Sequence, residues 1–410
     1  MKKIIIFILL IFPLICIAEV RYKILDLTAN ANFPITTCFG NGINNKGDVV
    51  GKITTDSQYT QIFTYKYSDN EGIVILGDGG GVFTYSSAHD INNLGVIVGG
   101  VGLLGRPSYI DNVFIYTPDI GYMIIMSALT NEDFRSSTIN DKGQIVIAAE
   151  TQPDEKWRSF RFTPGIGIED LGMYNGIEIY ATDINNKGWI TGEIRGVGTF
   201  LYKDDSEFTI VCPGIGTEIN DNGTITGDLD IGVPFVAING EVKILLNSEF
   251  VLGYPGHINN YDCVVGMGIT YKSTIGPYMW NKFEGTVNLI NYIDFNKNIT
   301  IMEASGINDF GQIICDGDIF NEEGEDIKSA TFRLDPIPPK LDIKYESTNV
   351  VVSWLPNWPG LFLEQADSLG TTNWTAVSQS GTNVIVLPKT DKQQFFRLNI
   401  QAGRGLFWGP

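Results

Sequence analysis

The hydrophobic and polar positions of this chain repeat in one short pattern that occurs seven times. Each copy opens with isoleucine and asparagine, continues with polar residues and usually glycine, and ends in a β-branched run. The copies begin at Ile43, Ile91, Ile139, Ile184, Ile219, Ile258 and Ile307. Asparagine bonds to nearby backbone and glycine adopts positive φ freely, so the pattern predicts a tight turn between two strands.

Two further strands are predicted in every repeat. An aromatic residue followed two places on by another apolar residue occurs at Phe63, Phe114, Phe160, Phe200, Phe235, Tyr278 and Phe332. A polar turn and a last apolar run follow, as at 163–171. Alternation with period two indicates strands, so each repeat predicts a four-stranded unit. Most copies start about 45 residues after the previous one, which is typical of propeller blades.

The two ends of the array predict that it closes on itself. The seventh repeat reaches Phe332 and then runs into a proline-rich segment, so its fourth strand is missing. Residues 22–27 form a spare strand before the first repeat. Pairing the spare strand with the seventh repeat would remove two exposed sheet edges. The expected fold is therefore all-β: a seven-bladed β-propeller over residues 19–335, closed by the N-terminal strand.

The repeats resemble those of the extracellular HAF-repeat family. Shared features are the hairpin with its Ile-Asn start, the aromatic third strand, and the ending Asp170-Leu171-Gly172. The H-A-F triplet itself is degenerate, and only its aromatic residue persists at Phe114 and Phe200. The resemblance covers residues 22–335 and implies a secreted, propeller-like protein. It implies no reaction and no catalytic residue.

A second pattern begins after a proline-rich linker at residues 336–339. Six short alternating runs between residues 340 and 400 predict a small β-sandwich. The order of Ser353-Trp354, then 363–366, then Asn373-Trp374, then 395–398 resembles the fibronectin-type-III-like modules of secreted bacterial proteins. We expect Trp354 and Phe396 in its core. Residues 401–410 are expected to form a tail.

The first 18 residues are typical of a signal peptide. Lys2 and Lys3 precede an apolar run at 4–17, and the small Ala18 suits a cleavage point. The alternative is a retained membrane anchor, but this run contains Pro13 and is shorter than the ~20 residues of a bilayer span. We therefore expect a secreted or extracellular protein, with the periplasm or the cell surface also open, and no membrane association after cleavage.

Composition limits the classes of partner that this chain is expected to bind. Hydrophobic residues make up 43% of the chain and charged residues 18%, as in a globular protein. The net charge of -19 disfavours nucleic acid and anionic lipid, because binding either requires a basic surface. We expect a monomer whose partner is an extracellular protein or polysaccharide.

Metal, cofactor and disulfide signals are weak. Only His89 and His257 are present, without a CxxC or HExxH pattern, so neither a metal site nor a cofactor is predicted. Cys38, Cys212, Cys263 and Cys315 lie far apart, and we expect buried small residues or at most one or two disulfides.

Candidate contact residues come from the segments that differ between repeats, 103–112, 151–157 and 267–277. These segments should share one rim of the propeller, opposite the rim of the tight turns, and loops of variable length usually carry recognition. The predicted ligand-binding residues are Arg106, Tyr109, Trp157, Tyr271 and Lys272.

Other polar groups receive structural interpretations. The repeated asparagine is explained by the turn, and His89 and His257 by packing at the start of the hairpins. A looser acidic group is interpreted as solvated loop charge: Glu303, Asp309, Asp316 and Asp318.

Two functions remain open. The sequence favours the first, a secreted non-enzymatic scaffold that binds extracellular protein or polysaccharide, because it contains no catalytic motif. The second is a carbohydrate-active enzyme, a hydrolase or lyase, whose carboxylates converge from several blades. Carboxylates that converge beside aromatic residues on the variable rim would favour the enzyme, whereas a rim with only uncharged polar groups would favour binding.

Overall fold

The computed structural model describes residues 20–77, 83–103, 112–127, 134–151, 156–203, 207–294, 298–358, 361–369, 373–377, 383–390 and 393–400. The predicted signal peptide and the tail lie outside these ranges. Within them, no helix combines the length and the apolar character that crossing a bilayer would require.

Residues 22–336 contain the strands of seven four-stranded antiparallel sheets. The first half of these strands, in chain order, is β1 (Tyr22–Asp26), β2 (Thr37–Ile43), β3 (Val49–Thr54), β4 (Phe63–Ser68), β5 (Gly72–Gly77), β6 (Tyr85–Ile91), β7 (Ile97–Gly102), β8 (Asn112–Thr117), β9 (Gly121–Ser127), β10 (Phe134–Ile139), β11 (Ile145–Thr151), β12 (Lys156–Thr163), β13 (Gly167–Asp170) and β14 (Ile179–Ile184). The second half is β15 (Ile190–Ile194), β16 (Gly198–Tyr202), β17 (Phe208–Cys212), β18 (Ile215–Ile219), β19 (Ile225–Asp228), β20 (Pro234–Ile238), β21 (Glu241–Ile244), β22 (Phe250–Ile258), β23 (Val264–Thr270), β24 (Ile275–Asn281), β25 (Gly285–Asn288), β26 (Ile299–Ile307), β27 (Ile313–Phe320) and β28 (Asp326–Pro336).

Six of these sheets consist of four consecutive strands, beginning with β2, β6, β10, β14, β18 and β22. The seventh has the order β1-β28-β27-β26, so a strand from the start of the chain lies beside the last repeat. In this pair Tyr22 lies opposite Pro336 and Asp26 lies opposite Phe332. A 3₁₀ turn at Leu289–Tyr292 follows β25.

Each repeated asparagine closes its turn through its side chain. Asn44 Oδ1 accepts hydrogen bonds from the backbone N–H groups of Lys46 and Asp48, both at 3.0 Å. Gly47 supplies the positive φ of 77° that the turn requires. In the sixth copy Asp262 occupies that place with φ 62°, a conformation that aspartate tolerates better than most residues.

The same asparagines also connect neighbouring sheets. Each donates its side-chain N–H to the backbone oxygen of the asparagine in the next sheet, and the last donates to the first. These bonds join Asn44 to Asn92 (3.2 Å), Asn92 to Asn140 (3.0 Å), Asn140 to Asn185 (3.0 Å), Asn185 to Asn220 (2.9 Å), Asn220 to Asn259 (3.0 Å), Asn259 to Asn308 (3.1 Å) and Asn308 to Asn44 (2.9 Å). We call these seven residues the turn ring. The prediction that the asparagines form the turns is confirmed. The hydrogen bonds that these asparagines make between neighbouring sheets were not predicted.

Apolar side chains fill the space within and between the sheets. Aromatic residues of the third strands are fully buried, among them Phe114, Phe200, Phe235 and Phe332. Cys38, Cys212, Cys263 and Cys315 are free and buried, so the interpretation as small core residues is confirmed and the disulfide alternative is not.

Residues 340–400 form two three-stranded sheets. Their strands are β29 (Lys340–Tyr345), β30 (Asn349–Leu355), β31 (Leu361–Ala366), β32 (Thr375–Ala376), β33 (Val384–Pro388) and β34 (Phe395–Ile400). The sheet orders are β29-β30-β33 and β32-β31-β34. Trp354 is buried, as expected, and Phe396 packs against the core partly buried.

Trp358 joins these two sheets to the seventh sheet of the repeats. It is fully buried and meets the ring of Tyr22 edge-on, with 5.2 Å between the ring centroids. Its indole N–H donates to the backbone oxygen of Ile337 at 3.0 Å.

Candidate functional site

A bulge near the end of the first strand of most sheets shapes the interior of the repeat region. In sheets one, two, four, five and seven, the pairing register shifts two residues before the isoleucine of the turn motif, for example between Ala88 and Asp90. A bulge places two residues opposite one and re-aims their side chains. The residues at and beside these bulges line a cavity.

This central cavity has a volume of about 810 Å³ and receives lining residues from all seven sheets. It extends along the first strands to the residues immediately before the turn motifs, and the variable segment containing Met267 also contributes to its wall. Aromatic residues at its wall are Phe39, Tyr85 and Tyr254. A site on the variable rim was predicted, and that location stays a prediction.

A second, smaller cavity of about 160 Å³ lies at the turn ring. Its polar wall includes the residue after each ring asparagine, and the backbone N–H of each of these residues donates to the side chain of the next. The bonds run from Asn45 to Asn93 (2.7 Å), Asn93 to Asp141 (2.8 Å), Asp141 to Asn186 (2.7 Å), Asn186 to Asp221 (2.8 Å), Asp221 to Asn260 (2.8 Å), Asn260 to Asp309 (2.9 Å) and Asp309 to Asn45 (2.9 Å). His257 lines both cavities and therefore lies between them.

Three carboxyl groups that line the central cavity accept hydrogen bonds from other residues of the protein. Asp90 accepts from the backbone N–H of Ile91 at 2.7 Å and from that of Ile139, in the next sheet, at 2.9 Å. Asp183 repeats this arrangement with Ile184 and Ile219. Two of the cavity's acids thus tie together adjacent sheets.

Asp316 is the third engaged acid and is only 2% exposed. Its carboxyl accepts from the Gly40 backbone N–H at 3.0 Å and from the hydroxyl groups of Thr331 at 2.7 Å and Ser305 at 3.2 Å. Burial nevertheless raises the pKa of Asp316 from 3.8 to about 7. The interpretation of Asp316 as solvated loop charge was therefore wrong, because this side chain is inside the fold.

Glu218 and His257 form a pair within the cavity. The distance from His257 Nδ1 to Glu218 Oε2 is 3.3 Å. Burial raises the pKa of Glu218 well above its usual value and lowers the pKa of His257, so both groups favour their neutral forms. The expectation that His257 only packs at the start of a hairpin was wrong, since its ring faces a polar cavity beside an acid.

Glu303, Lys52 and His89 form a second group. Burial raises the pKa of Glu303, and the nearby charge of Lys52 partly opposes this rise. Burial lowers the pKa of His89 to about 4, and Lys52 lowers it further. His89 Nδ1 lies 2.9 Å from the Ser137 hydroxyl. All three residues line the central cavity, so His89 faces a polar cavity in addition to the packing expected of it.

Glu303 and Lys52 have no polar partner among the described residues. Neither side chain makes a hydrogen bond or ion pair there, although Lys52 Nζ lies 5.6 Å from the centroid of the Phe39 ring. Glu303 was expected to be solvated loop charge, but it lines the cavity and is half-buried. An unengaged carboxyl, an unengaged ammonium group and a neutral imidazole thus share one polar cavity.

The predicted contact residues lie elsewhere. Arg106 and Tyr109 fall outside the described residues. Trp157 is only 8% exposed, and its ring lies against Tyr180 with 5.5 Å between centroids. Tyr271 is 80% exposed and Lys272 is also exposed, in the loop between β23 and β24. None of these three described residues lines the central cavity, and their role in binding a ligand stays a prediction.

No protein-family model and no curated protein matches this chain. Solved structures of low similarity include a puromycin hydrolase, with 10% identity and a TM-score of 0.49 over 80% of this chain and 59% of that one. A virginiamycin B lyase from Staphylococcus aureus has 12% identity and a TM-score of 0.48 over 77% of this chain and 98% of that one. A gluconolactonase from Xanthomonas campestris has 9% identity and a TM-score of 0.38, over 77% and 89%. At these values the similarities assign no activity to this chain.

Proposed function

We propose that this chain is an exported carbohydrate-active enzyme, a hydrolase or lyase, whose reaction takes place in the central cavity of a closed seven-bladed β-propeller. The observation that carries the proposal is the half-buried carboxyl of Glu303, which has no polar partner among the described residues and lies in a large cavity that four other acidic residues and two histidines also line. Of the two functions that the sequence left open, this convergence of ionisable groups beside aromatic residues favours the enzyme.

The chemistry requires one group that donates a proton and one that accepts it. Burial raises the pKa of Glu303 and so favours the protonated form that a general acid requires for a departing glycosidic oxygen. His89 is uncharged at neutral pH, since its pKa is about 4, and so it is free to accept a proton. Glu218 and His257 are a second acid–base pair in the same cavity.

The closed propeller is supported by two hydrogen-bonding arrangements. β1 pairs with β28, and the turn ring returns from Asn308 to Asn44. A closed ring holds groups from different sheets at fixed separations, which catalysis by several side chains requires.

The wider assignments belong to the same proposal. Removal of residues 1–18 would deliver the chain outside the cytoplasm, where it would act as a monomer. The HAF-repeat and fibronectin-III-like resemblances are consistent with a polysaccharide partner, and residues 340–400 would serve as an adhesion or spacing module.

A non-enzymatic binding protein is the second candidate. It is favoured by Asp90, Asp183 and Asp316, whose carboxyl groups serve contacts within the fold. The cavity would then bind a ligand without converting it into a product.

The test combines binding and turnover. The mature chain, its Glu303→Gln variant and a control, Asp309→Asn, would be incubated with a panel of extracellular polysaccharides while bound ligand and released reducing ends are measured. Asp309 is a suitable control because it lies on the turn side of the same sheet, where four other sheets carry asparagine. We expect Glu303→Gln to lower turnover about 10²- to 10⁴-fold with binding retained, and Asp309→Asn to resemble the parent.

Two results would count against the enzyme. Binding by the parent without any product would favour the second candidate. Full turnover by Glu303→Gln would show that Glu303 is not the general acid, and Glu218 and His257 would become the candidates for that role.

A further inference from the structure

Lys52 gives the central cavity a positive charge without a counter-ion. It lies on β3 and lines the cavity, with its ammonium group near the ring of Phe39. No acidic side chain of the described residues lies within ion-pair distance of its Nζ. Other lysines of the same sheet behave differently, since Lys66 pairs with Asp48 at 3.2 Å.

The acids of the cavity do not supply the missing counter-ion. Asp90, Asp183 and Asp316 direct their oxygens at backbone N–H or hydroxyl groups. Glu218 lies beside His257. Glu303 is the remaining acid near Lys52, and burial raises the pKa of Glu303, which disfavours its charged form.

Lys52 is partly buried and has no charged partner among the described residues, so an anionic group of a ligand in the cavity would complete its contacts. Charge-assisted hydrogen bonds to a carboxylate are the contacts that such a group makes most strongly. A neutral sugar would leave the charge of Lys52 uncompensated, whereas a sugar that carries a carboxylate would provide the opposite charge.

Resting on the proposed function, we propose that the substrate is an acidic carbohydrate and that Lys52 binds its carboxylate in the central cavity. Lys52 is then the specificity-determining residue. Glu303 and His89 line the same cavity and are available to the sugar to which the carboxylate belongs.

The experiment compares matched polysaccharides and matched variants. Polygalacturonate, alginate and hyaluronate would each be tested beside its carboxyl-reduced form, by calorimetric binding and by release of reducing ends. The proteins are the mature chain, Lys52→Met, Lys52→Arg and Lys46→Met. Lys46 is an exposed residue of the turn in the same sheet, so its variant has the same change of charge away from the cavity.

We expect the parent to bind at least one carboxylated polysaccharide and to prefer it to the reduced form by about 10-fold or more. Lys52→Met should weaken that binding about 10- to 100-fold while leaving binding of the reduced form unchanged. Lys52→Arg should recover part of the loss, and Lys46→Met should resemble the parent. Circular dichroism and thermal melting would establish that each variant is folded.

Contrary outcomes separate the two proposals. Equal binding of the carboxylated and reduced forms, or an equal loss on both in Lys52→Met, would overturn the assignment of Lys52 while an enzyme acting on neutral sugars remained. No binding of any carboxylated polysaccharide would also overturn it. Carboxylate-dependent binding without product would support the role of Lys52 and refute the enzyme.

Discussion

The turn ring and the wall of the central cavity lie next to each other in every repeat, yet they differ in one instructive respect. The asparagine of the turn motif is the same in all seven copies, and every copy uses it for the same bonds. Two positions earlier, immediately before the isoleucine, the residue changes from sheet to sheet. The set is Gly42, Asp90, Thr138, Asp183, Glu218, His257 and Gly306.

This difference separates two demands on a repeated strand. A contact that every sheet must make with its neighbour imposes one residue everywhere, because the geometry is the same each time. A cavity enclosed by seven sheets has no such requirement, and distinct chemistry arises only if the sheets contribute different side chains. The repeated position therefore serves structure in every sheet, whereas the residue at the varied position is free to differ from sheet to sheet.

The largest loss of stability is expected from the turn ring. Asn185→Ala removes acceptors for the backbone N–H groups of Lys187 and Trp189 and a donor to Asn220. Because Asn185 is buried and its bonds are buried or partly buried, we expect a loss of about 2–4 kcal/mol, measured as a fall in the urea midpoint. Glu303→Gln, in the cavity wall, should unfold like the parent. A parental midpoint for Asn185→Ala would show that the ring contributes little.

Asp316 should make stability depend on pH. Its folded-state pKa is raised from 3.8 to about 7, so the folded chain binds this proton more tightly than the unfolded chain. The stabilisation is complete below the lower value and is lost as the pH rises through the higher one. Asp316→Asn should flatten the decline in stability over that range by up to about 4 kcal/mol.

Thermal melting of Asp316→Asn and the parent across this pH range would test the expectation. The amide retains an oxygen for Gly40 and Thr331 and offers an N–H to Ser305, so the variant should fold. Parallel pH profiles for the two proteins would contradict a protonated Asp316.

The periodic part of the molecule was predictable because it depends on local chemistry. Asn44 and Gly47 specify a turn wherever they occur, and alternation around Phe114 specifies a strand. The six strands of residues 340–400 were predictable for the same reason.

The residues of the cavity were missed because their burial depends on distant parts of the chain. Glu303 and Asp316 resemble loop charge in linear sequence, and a bulge beside Asp90 has no residue signature of its own. The predicted ligand-binding residues instead included exposed aromatic residues such as Tyr271. One signal was available: ionisable residues stand immediately before the isoleucine in four of the seven copies, at Asp90, Asp183, Glu218 and His257.

Asp90 does not fit the distinction between repeated and varied positions. It lies in the varied position, but its side chain bonds to the neighbouring sheet, as the asparagines of the turn ring do. Both of its oxygens accept backbone N–H groups, from Ile91 and from Ile139 of the next sheet. Asp90→Asn has one acceptor oxygen, so its amide group would face one of these N–H groups, at an expected cost of about 1–2 kcal/mol in the urea midpoint. Glu218→Gln is the matched control, because its carboxyl lies beside His257 and an amide can replace that contact. If both variants unfold like the parent, the acids of the varied position serve the cavity alone; a loss confined to Asp90→Asn would mean that varied residues, too, can hold adjacent sheets together.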